Sequence, residues 1–224
     1  MDERCVAIYD SGAGGLCLLK KLVEKYPYEN FVYFSDHENF PYGNKDKERL
    51  LALAKKNVNT IMSFCPKEII FACNTLSTAA LSEYSNFCVK VSGVLPFVPS
   101  GEKTLLLCTS ATAASERVRS LKAENADIFV AVMDGLADEI EEWIRGGNKP
   151  DVYRRLSGLK KDYECVSLGC THYTHLKEDI KRIFPKSRVV GGEDVFSEGF
   201  QGRMTTSENK SKKGEVLFLD KAYE

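Results

Sequence analysis

Glu68-Ile69-Ile70-Phe71-Ala72-Cys73-Asn74-Thr75 runs from an apolar stretch through a thiol into polar residues that suit a helix start. Cys165-Val166-Ser167-Leu168-Gly169-Cys170-Thr171-His172 repeats the design 97 residues later. Two further landmarks recur at nearly the same interval. Tyr9-Asp10-Ser11 matches Cys108-Thr109-Ser110 at 99 residues, and Phe34-Ser35-Asp36 matches Val132-Met133-Asp134 at 98. Three markers in one order at one spacing predict two similar halves, each carrying a thiol at its mouth. Such a pair can approach one small molecule from opposite faces.

Around these markers, short apolar runs alternate with helical patterns. Strands are expected at residues 5–9, 31–35, 68–72, 104–108, 128–133 and 165–168, with a short one before Val94. Helices are expected at 16–25, 45–64, 76–84, 113–124, 136–145, 152–160 and 176–184. Continuous apolar strands separated by helices imply parallel strands covered on both faces, joined by right-handed crossovers. The predicted fold class is α/β: two pseudo-symmetric domains, each a mostly parallel sheet flanked by helices, with the active site in the interdomain cleft. The expected division is 1–95, 96–200, and a polar segment 201–224 with a candidate edge strand at 215–219. The Pro- and Gly-containing stretch at 94–101 is the expected hinge. Ligands of parallel sheets gather at the carboxyl ends of the strands. Asp10, Ser11, Asp36, Cys73, Thr109, Asp134 and Cys170 all fall there.

Lys and Arg number 31 against 32 Asp and Glu in 224 residues, a net charge of −1, so no polyanionic partner is expected, neither nucleic acid nor anionic membrane. No run reaches the roughly 20 apolar residues of a membrane-spanning helix. The first residues pass directly into a strand without a signal-like apolar region, so a cytoplasmic protein is expected. The eight cysteines lack framework spacing and read as free thiols. Cys5, Cys17, Cys65, Cys88, Cys108 and Cys165 read as small buried hydrophobes.

Cys73 and Cys170 differ because each lies in a strand-to-helix turn. A helix N-terminus can lower a thiol pKa from about 8.5 to roughly 3.5–7.5, so either sulfur is expected to ionise near neutrality. His172 stands two residues beyond Cys170, placed to exchange a proton with it; His175 is expected to cap or pack. Asp10 is the expected partner of Cys73. Gly12-Ala13-Gly14-Gly15 imitates a dinucleotide fingerprint, but its third glycine would fall at Cys17. The glycines read instead as a tight turn offering N–H groups to a small carboxylate. Cys170, His172 and His175 lack a Cys-x-x-Cys complement, so no metal is expected.

Tyr9-Asp10-Ser11-Gly12-Ala13-Gly14-Gly15-Leu16, Pro41-Tyr42-Gly43, Ala72-Cys73-Asn74-Thr75 and Gly169-Cys170-Thr171-His172-Tyr173 closely resemble the motifs of the glutamate racemases, in the aspartate/glutamate racemase family. The resemblance spans roughly residues 6–184. It implies two-base racemisation of glutamate without a cofactor, supplying D-glutamate for peptidoglycan, and it admits a homodimer. By this resemblance Cys73 and Cys170 are the acid/bases, Asp10 assists the first and His172 the second. Glu142 corresponds to an acidic residue the family places near the second thiol. Implied substrate contacts are Asp10, Ser11, Pro41, Tyr42, Gly43, Asn74, Thr75, Thr109, Thr112, Thr171 and His172. Departures include an acidic 136–142 segment, Thr174 for a common proline, and Gly191-Gly192 without the usual acidic residue. Alternatives are a racemase for aspartate or another acidic amino acid, a non-catalytic clamshell binding protein, and a Cys/His hydrolase that would need only one thiol.

Overall fold

The computed structural model describes residues 4–202, 204 and 212–219. Apolar strands and intervening helices form two wholly parallel sheets. In the first, β1 (Val6–Asp10), β2 (Phe31–Ser35), β3 (Glu68–Phe71), β4 (Lys90–Gly93) and β9 (Val216–Phe218) lie in the order β4-β3-β1-β2-β9. In the second, β5 (Thr104–Cys108), β6 (Ile128–Val132), β7 (Cys165–Leu168) and β8 (Arg188–Gly191) lie in the order β6-β5-β7-β8. Setting β9 aside, the two orders are the same. The corresponding strands begin at Val6 and Thr104, Phe31 and Ile128, Glu68 and Cys165, Lys90 and Arg188, so the sequence interval is a repeat in structure.

Every residue of β1 is buried because helices cover both faces of its sheet. Ala7 and Tyr9 face the layer of α2 (Lys47–Met62) and α3 (Asn74–Ala80), while Val6 and Ile8 face α1 (Leu16–Lys25) and Phe200. Likewise Leu105 and Leu107 pack with α6 (Leu136–Ile144), α7 (Val152–Leu156) and α8 (Lys177–Ile183). Leu106 and Cys108 pack on α5 (Glu116–Glu124). This two-sided burial is what period-2 side-chain alternation produces when no sheet face meets water.

Local chemistry sets several boundaries differently from the sequence pattern. Asp46 accepts from Arg49 N at 2.7 Å, so α2 starts at Lys47 rather than two residues earlier. The helix expected at 113–124 starts only at Glu116, as α5 capped by Ser115, and a separate short helix capped by Thr109, α4 (Ser110–Ala113), precedes it. α7 stops at Leu156, well short of residue 160. The helix α9 (Gly192–Gly199) was not apparent in the sequence. Asp194 starts it by accepting from Gly191 N at 2.8 Å, and it docks on α1 through a Lys21–Asp194 ion pair and a 2.7 Å bond from Lys25 Nζ to the Ser197 carbonyl. Cys65 and Cys88 are exposed rather than buried, since both lie in surface turns, and all eight cysteines are unpaired. β9 aligns parallel to Phe31–Tyr33 within the stretch expected as an edge strand. Most of the polar segment before it, 203 and 205–211, lies outside the described residues. Among the described residues no helix is long and apolar enough to cross a membrane.

Candidate active site

The repeat sets the carboxyl ends of β1 and β3 near those of β5 and β7, and the two thiols lie at this meeting. Cys73 occupies the N-cap of α3, and Cys170 the N-cap of a 3-10 turn, Thr171–Leu176. Both are nearly inaccessible, 6% and 7% exposed. Asp10, fully buried, joins the glycine turn to the turn of Cys170: Oδ1 accepts from Gly12 N at 2.9 Å, and Oδ2 accepts from Thr171 Oγ1 at 3.3 Å. The Ser11 hydroxyl points at the Cys73 sulfur at 3.7 Å. His172 Nδ1 lies 4.0 Å from the Cys170 sulfur, and its Nε2 lies 2.8 Å from Glu141 Oε2.

The electrostatics of the two sides differ. Burial, reinforced by the Asp10 carboxylate, pushes the Cys73 thiol up to about 12. The backbone N–H of Leu76 and the Ser11 hydroxyl pull the other way and lose. The expectation that a helix start would let this sulfur ionise at neutral pH is therefore corrected: one N–H at the start of a seven-residue helix does not offset desolvation. Burial also raises Asp10 above the usual carboxylate range. At His172 burial alone would favour the neutral ring, but Cys170, Glu141 and Asp10 outweigh it and raise the imidazole to about 10. Burial works against ionisation of Glu141 as well, yet His172, the Ala13 N–H and His37 hold it below its ordinary value.

Glu141 is the residue that sequence reasoning missed. Glu142 is exposed and packs near Gly147, so the assignment of an acidic residue to Glu142 is corrected to its neighbour. The signal was helical periodicity: Leu136, Ala137 and Ile140 are the buried face of α6, and position 141 shares it whereas 142 does not. The glycine turn serves the same carboxylate. Its N–H groups at Gly12 and Ala13 are taken by Asp10 and by Glu141 Oε2 (2.9 Å each), the protein's own carboxylates rather than a ligand's. A Cβ at Gly12 would lie 2.7 Å from Glu141 Oε2, and one at Gly14 2.6 Å from His172 Nδ1. Both side chains come from the opposite half, so these glycines permit the halves to meet.

The remaining sequence-derived residues divide into two groups. Thr75 lies across from Thr109 and Thr112, the three hydroxyls mutually 3.1 Å apart. Asn74 is buried with neither Nδ2 nor Oδ1 partnered, amide capacity left over for a ligand. Pro41, Gly43 and Thr109 border a cavity of about 320 Å³ that reaches Met133, Asp134 and Tyr173. The Gly43 carbonyl accepts from Ala111 N (2.9 Å) and Ser110 Oγ (3.0 Å), tying the loop of the first half to the second. The Tyr42 hydroxyl, by contrast, is committed to a buried cluster: it donates to Asp36 Oδ2 at 2.5 Å and meets Tyr9 Oη at 2.6 Å. Asn57 Nδ2 completes that cluster with bonds to Tyr9 Oη (2.8 Å) and Asp36 Oδ2 (2.7 Å), so Asp36 is structural. His175 packs 3.6 Å from the Cys17 sulfur, away from both catalytic candidates, and Thr174 donates to Glu193 Oε1 at 2.8 Å. Among the described residues no three His, Cys, Asp or Glu side chains are arranged to hold a metal ion.

Two α/β halves, each a parallel sheet flanked by helices and each bringing a thiol to their meeting, define the class of protein. No family model matches the chain. A glutamate racemase of Clostridium acetobutylicum is 30% identical over 95% of this chain and 86% of its own length. A glutamate racemase of Carboxydothermus hydrogenoformans is 33% identical over 83% of this chain and 74% of its own. A crystal structure of glutamate racemase from Francisella tularensis in complex with D-glutamate superposes with a TM-score of 0.76 at 25% identity, covering 97% of this chain and 88% of that one. The chain belongs to the glutamate racemase family.

Proposed function

We propose that this protein interconverts L- and D-glutamate without a cofactor, by paired thiol acid/bases, and supplies D-glutamate for peptidoglycan in the cytoplasm. The observation that carries the reading is the pair of buried thiols at matching strand ends, Cys73 beside the Ser11 hydroxyl and Cys170 beside the His172 imidazole, with Asp10 buried between their turns. In one direction the sulfur on one face takes the α-proton of glutamate, and the sulfur on the other face returns a proton to the carbanion. In reverse the roles exchange. Cys73, a thiol at neutral pH, is the donor in the resting protein, and it becomes a base once its proton has passed to Asp10, whose raised pKa suits it to accept. His172, held as an imidazolium, works in the opposite sense: once the Cys170 sulfur has given its proton to the carbanion, the ring returns one to it and becomes neutral. The amide of Asn74 and the hydroxyls of Thr75, Thr109 and Thr112 would bind the substrate carboxylates, Ser11, Thr171 and the Tyr42–Gly43 backbone completing the set. Closure of the two lobes, divided near residue 95, excludes water and strengthens every charge interaction at the carbanion. Eight unpaired thiols accord with a reducing compartment.

The test is optical rotation or circular dichroism of D- and L-glutamate with wild type, Cys73→Ser and Cys170→Ser, run in deuterium oxide to follow α-proton exchange. Wild type should equilibrate either enantiomer, and each single mutant should lose more than about a hundredfold in kcat. A wild type that leaves both enantiomers untouched overturns the reading. One that exchanges the α-proton of aspartate in preference to glutamate transfers it to the smaller substrate.

A further inference from the structure

Glu141 reaches His172 from α6, and its two carboxylate oxygens have different company. Oε2, the inner one, accepts from Ala13 N at 2.9 Å and lies 2.8 Å from His172 Nε2. Oε1, the outer one, lies 3.5 Å from His37 Nδ1 and 3.8 Å from Arg145 Nε. Arg145 follows on Glu141's own helix (i, i+4), so it moves with the carboxylate and cannot fix it against the other half. His37 can. It lies in the 3-10 turn His37–Asn39 directly after β2, on the opposite side of the cleft, with its side chain 31% exposed. Its ring stacks on Phe40 (centroids 5.9 Å, interplanar 11°), and Phe40 in turn leans on His172 (5.2 Å, 47°).

Resting on the racemase reading, we propose that His37 is a positioning residue for the Cys170 half of the reaction: by holding the outer oxygen of Glu141 across the cleft, it keeps the inner oxygen on His172. A carboxylate held at one oxygen can still turn about its last bond, so losing the contact at the outer oxygen returns some side-chain freedom to Glu141 even with the inner one held. Fixing both oxygens defines the carboxylate plane, and with it the direction in which His172 presents Nδ1 to the sulfur. On the Cys73 side Asp10 is held instead by the Gly12 N–H and the Thr171 hydroxyl, neither of which His37 touches among the described residues. Loss of His37 should therefore disturb one face of the reaction and spare the other.

Two variants separate the polar contact from packing. His37→Phe keeps a ring against Phe40 and removes the polar nitrogen; His37→Asn removes the ring and keeps a polar side-chain nitrogen on the same turn. Rates are followed in both directions by circular dichroism, with α-protiated and α-deuterated L- and D-glutamate. His37→Phe should lower kcat about tenfold, equivalent to about 1.4 kcal/mol. It should also change the primary isotope effects unequally, raising that of the enantiomer whose α-proton goes to Cys170. His37→Asn should recover most of the rate. Changes equal for both enantiomers, a His37→Phe rate within twofold of wild type, or no recovery in His37→Asn would each overturn the role of His37. A wild type without racemisation removes the proposed function itself, an outcome distinct from a racemising wild type with unaltered variants.

Discussion

Replacing Gly14 by alanine tests whether the two halves meet as closely as the glycine turn implies. The added methyl would stand 2.6 Å from His172 Nδ1, 2.7 Å from Thr171 Oγ1 and 2.9 Å from the His172 backbone nitrogen. Ordinary contact begins at 3.4 Å, so the turn carrying Cys170 and His172 must retreat by about 0.8 Å. His172 has little freedom to yield alone, since Nε2 is held by Glu141 and its ring lies against Phe40. A misplacement of about 1 Å costs roughly a hundredfold in rate, and overpacking costs about 1–3 kcal/mol in stability. Gly14→Ala should therefore show kcat reduced about a hundredfold in the racemisation assay and Tm lowered by roughly 2–12 °C, with an unchanged far-ultraviolet spectrum. Gly199→Ala, where a Cβ meets nothing within 4 Å, is the control. A Gly14→Ala enzyme within threefold of wild type would refute the reasoning, because the opposing turn would then not be in contact when the enzyme works.

Alkylation by iodoacetamide at pH 7 should label exposed Cys65 and Cys88 quickly and Cys73 slowly, with Cys73 labelling accelerating as pH rises towards about 12; mass spectrometry of digests measures each rate. Early, pH-independent modification of Cys73 would contradict its raised pKa. Glu141→Gln should shift the alkaline limb of the rate profile downward, because the carboxylate is one of the groups holding His172 at about 10 and the imidazolium is then lost at lower pH; an unmoved limb separates His172 from that titration. Asn57→Leu removes donors to Tyr9 and Asp36 from a buried cluster, and should cost about 2 kcal/mol, or roughly 4–8 °C in Tm by calorimetry. A smaller fall than about 1 °C would mean the cluster finds other partners.

Much of this architecture was legible because it rests on burial pattern. The runs at Phe31–Ser35, Thr104–Cys108 and Cys165–Leu168 are apolar enough to have only one reading, and the 97–99-residue interval carried the duplication. Helix α9 was not legible, since it opens and closes on glycine and owes its place to Asp194, Lys21 and Lys25, partners distant in sequence. In the cleft, the thiols, Asp10 and Thr109 were singled out by residue type at strand ends, whereas Asn74, Thr75, Thr112 and Thr171 came from the resemblance of their motifs to the family. Glu141 was lost to Glu142 because spacing alone does not say which of two adjacent carboxylates faces inward; the apolar face of α6 does. The electrostatic state of Cys73 was misjudged for a related reason: a helix start is visible in a sequence, whereas complete burial beside Asp10 is not. His37 drew no attention because its partner belongs to the other half, 104 residues away.

Strand β9 follows the second sheet in sequence yet pairs in the first, beside β2, and Phe200 packs against α1 on the way. During synthesis the amino-terminal lobe must therefore wait, its β2 edge bare, until residues 216–218 have left the ribosome, long after the second sheet has been made. A chain without residues 216–218 would leave Phe31–Tyr33 open to pairing with strangers, so the duplicated halves, alike as they are, could not be cut apart and each expected to survive alone.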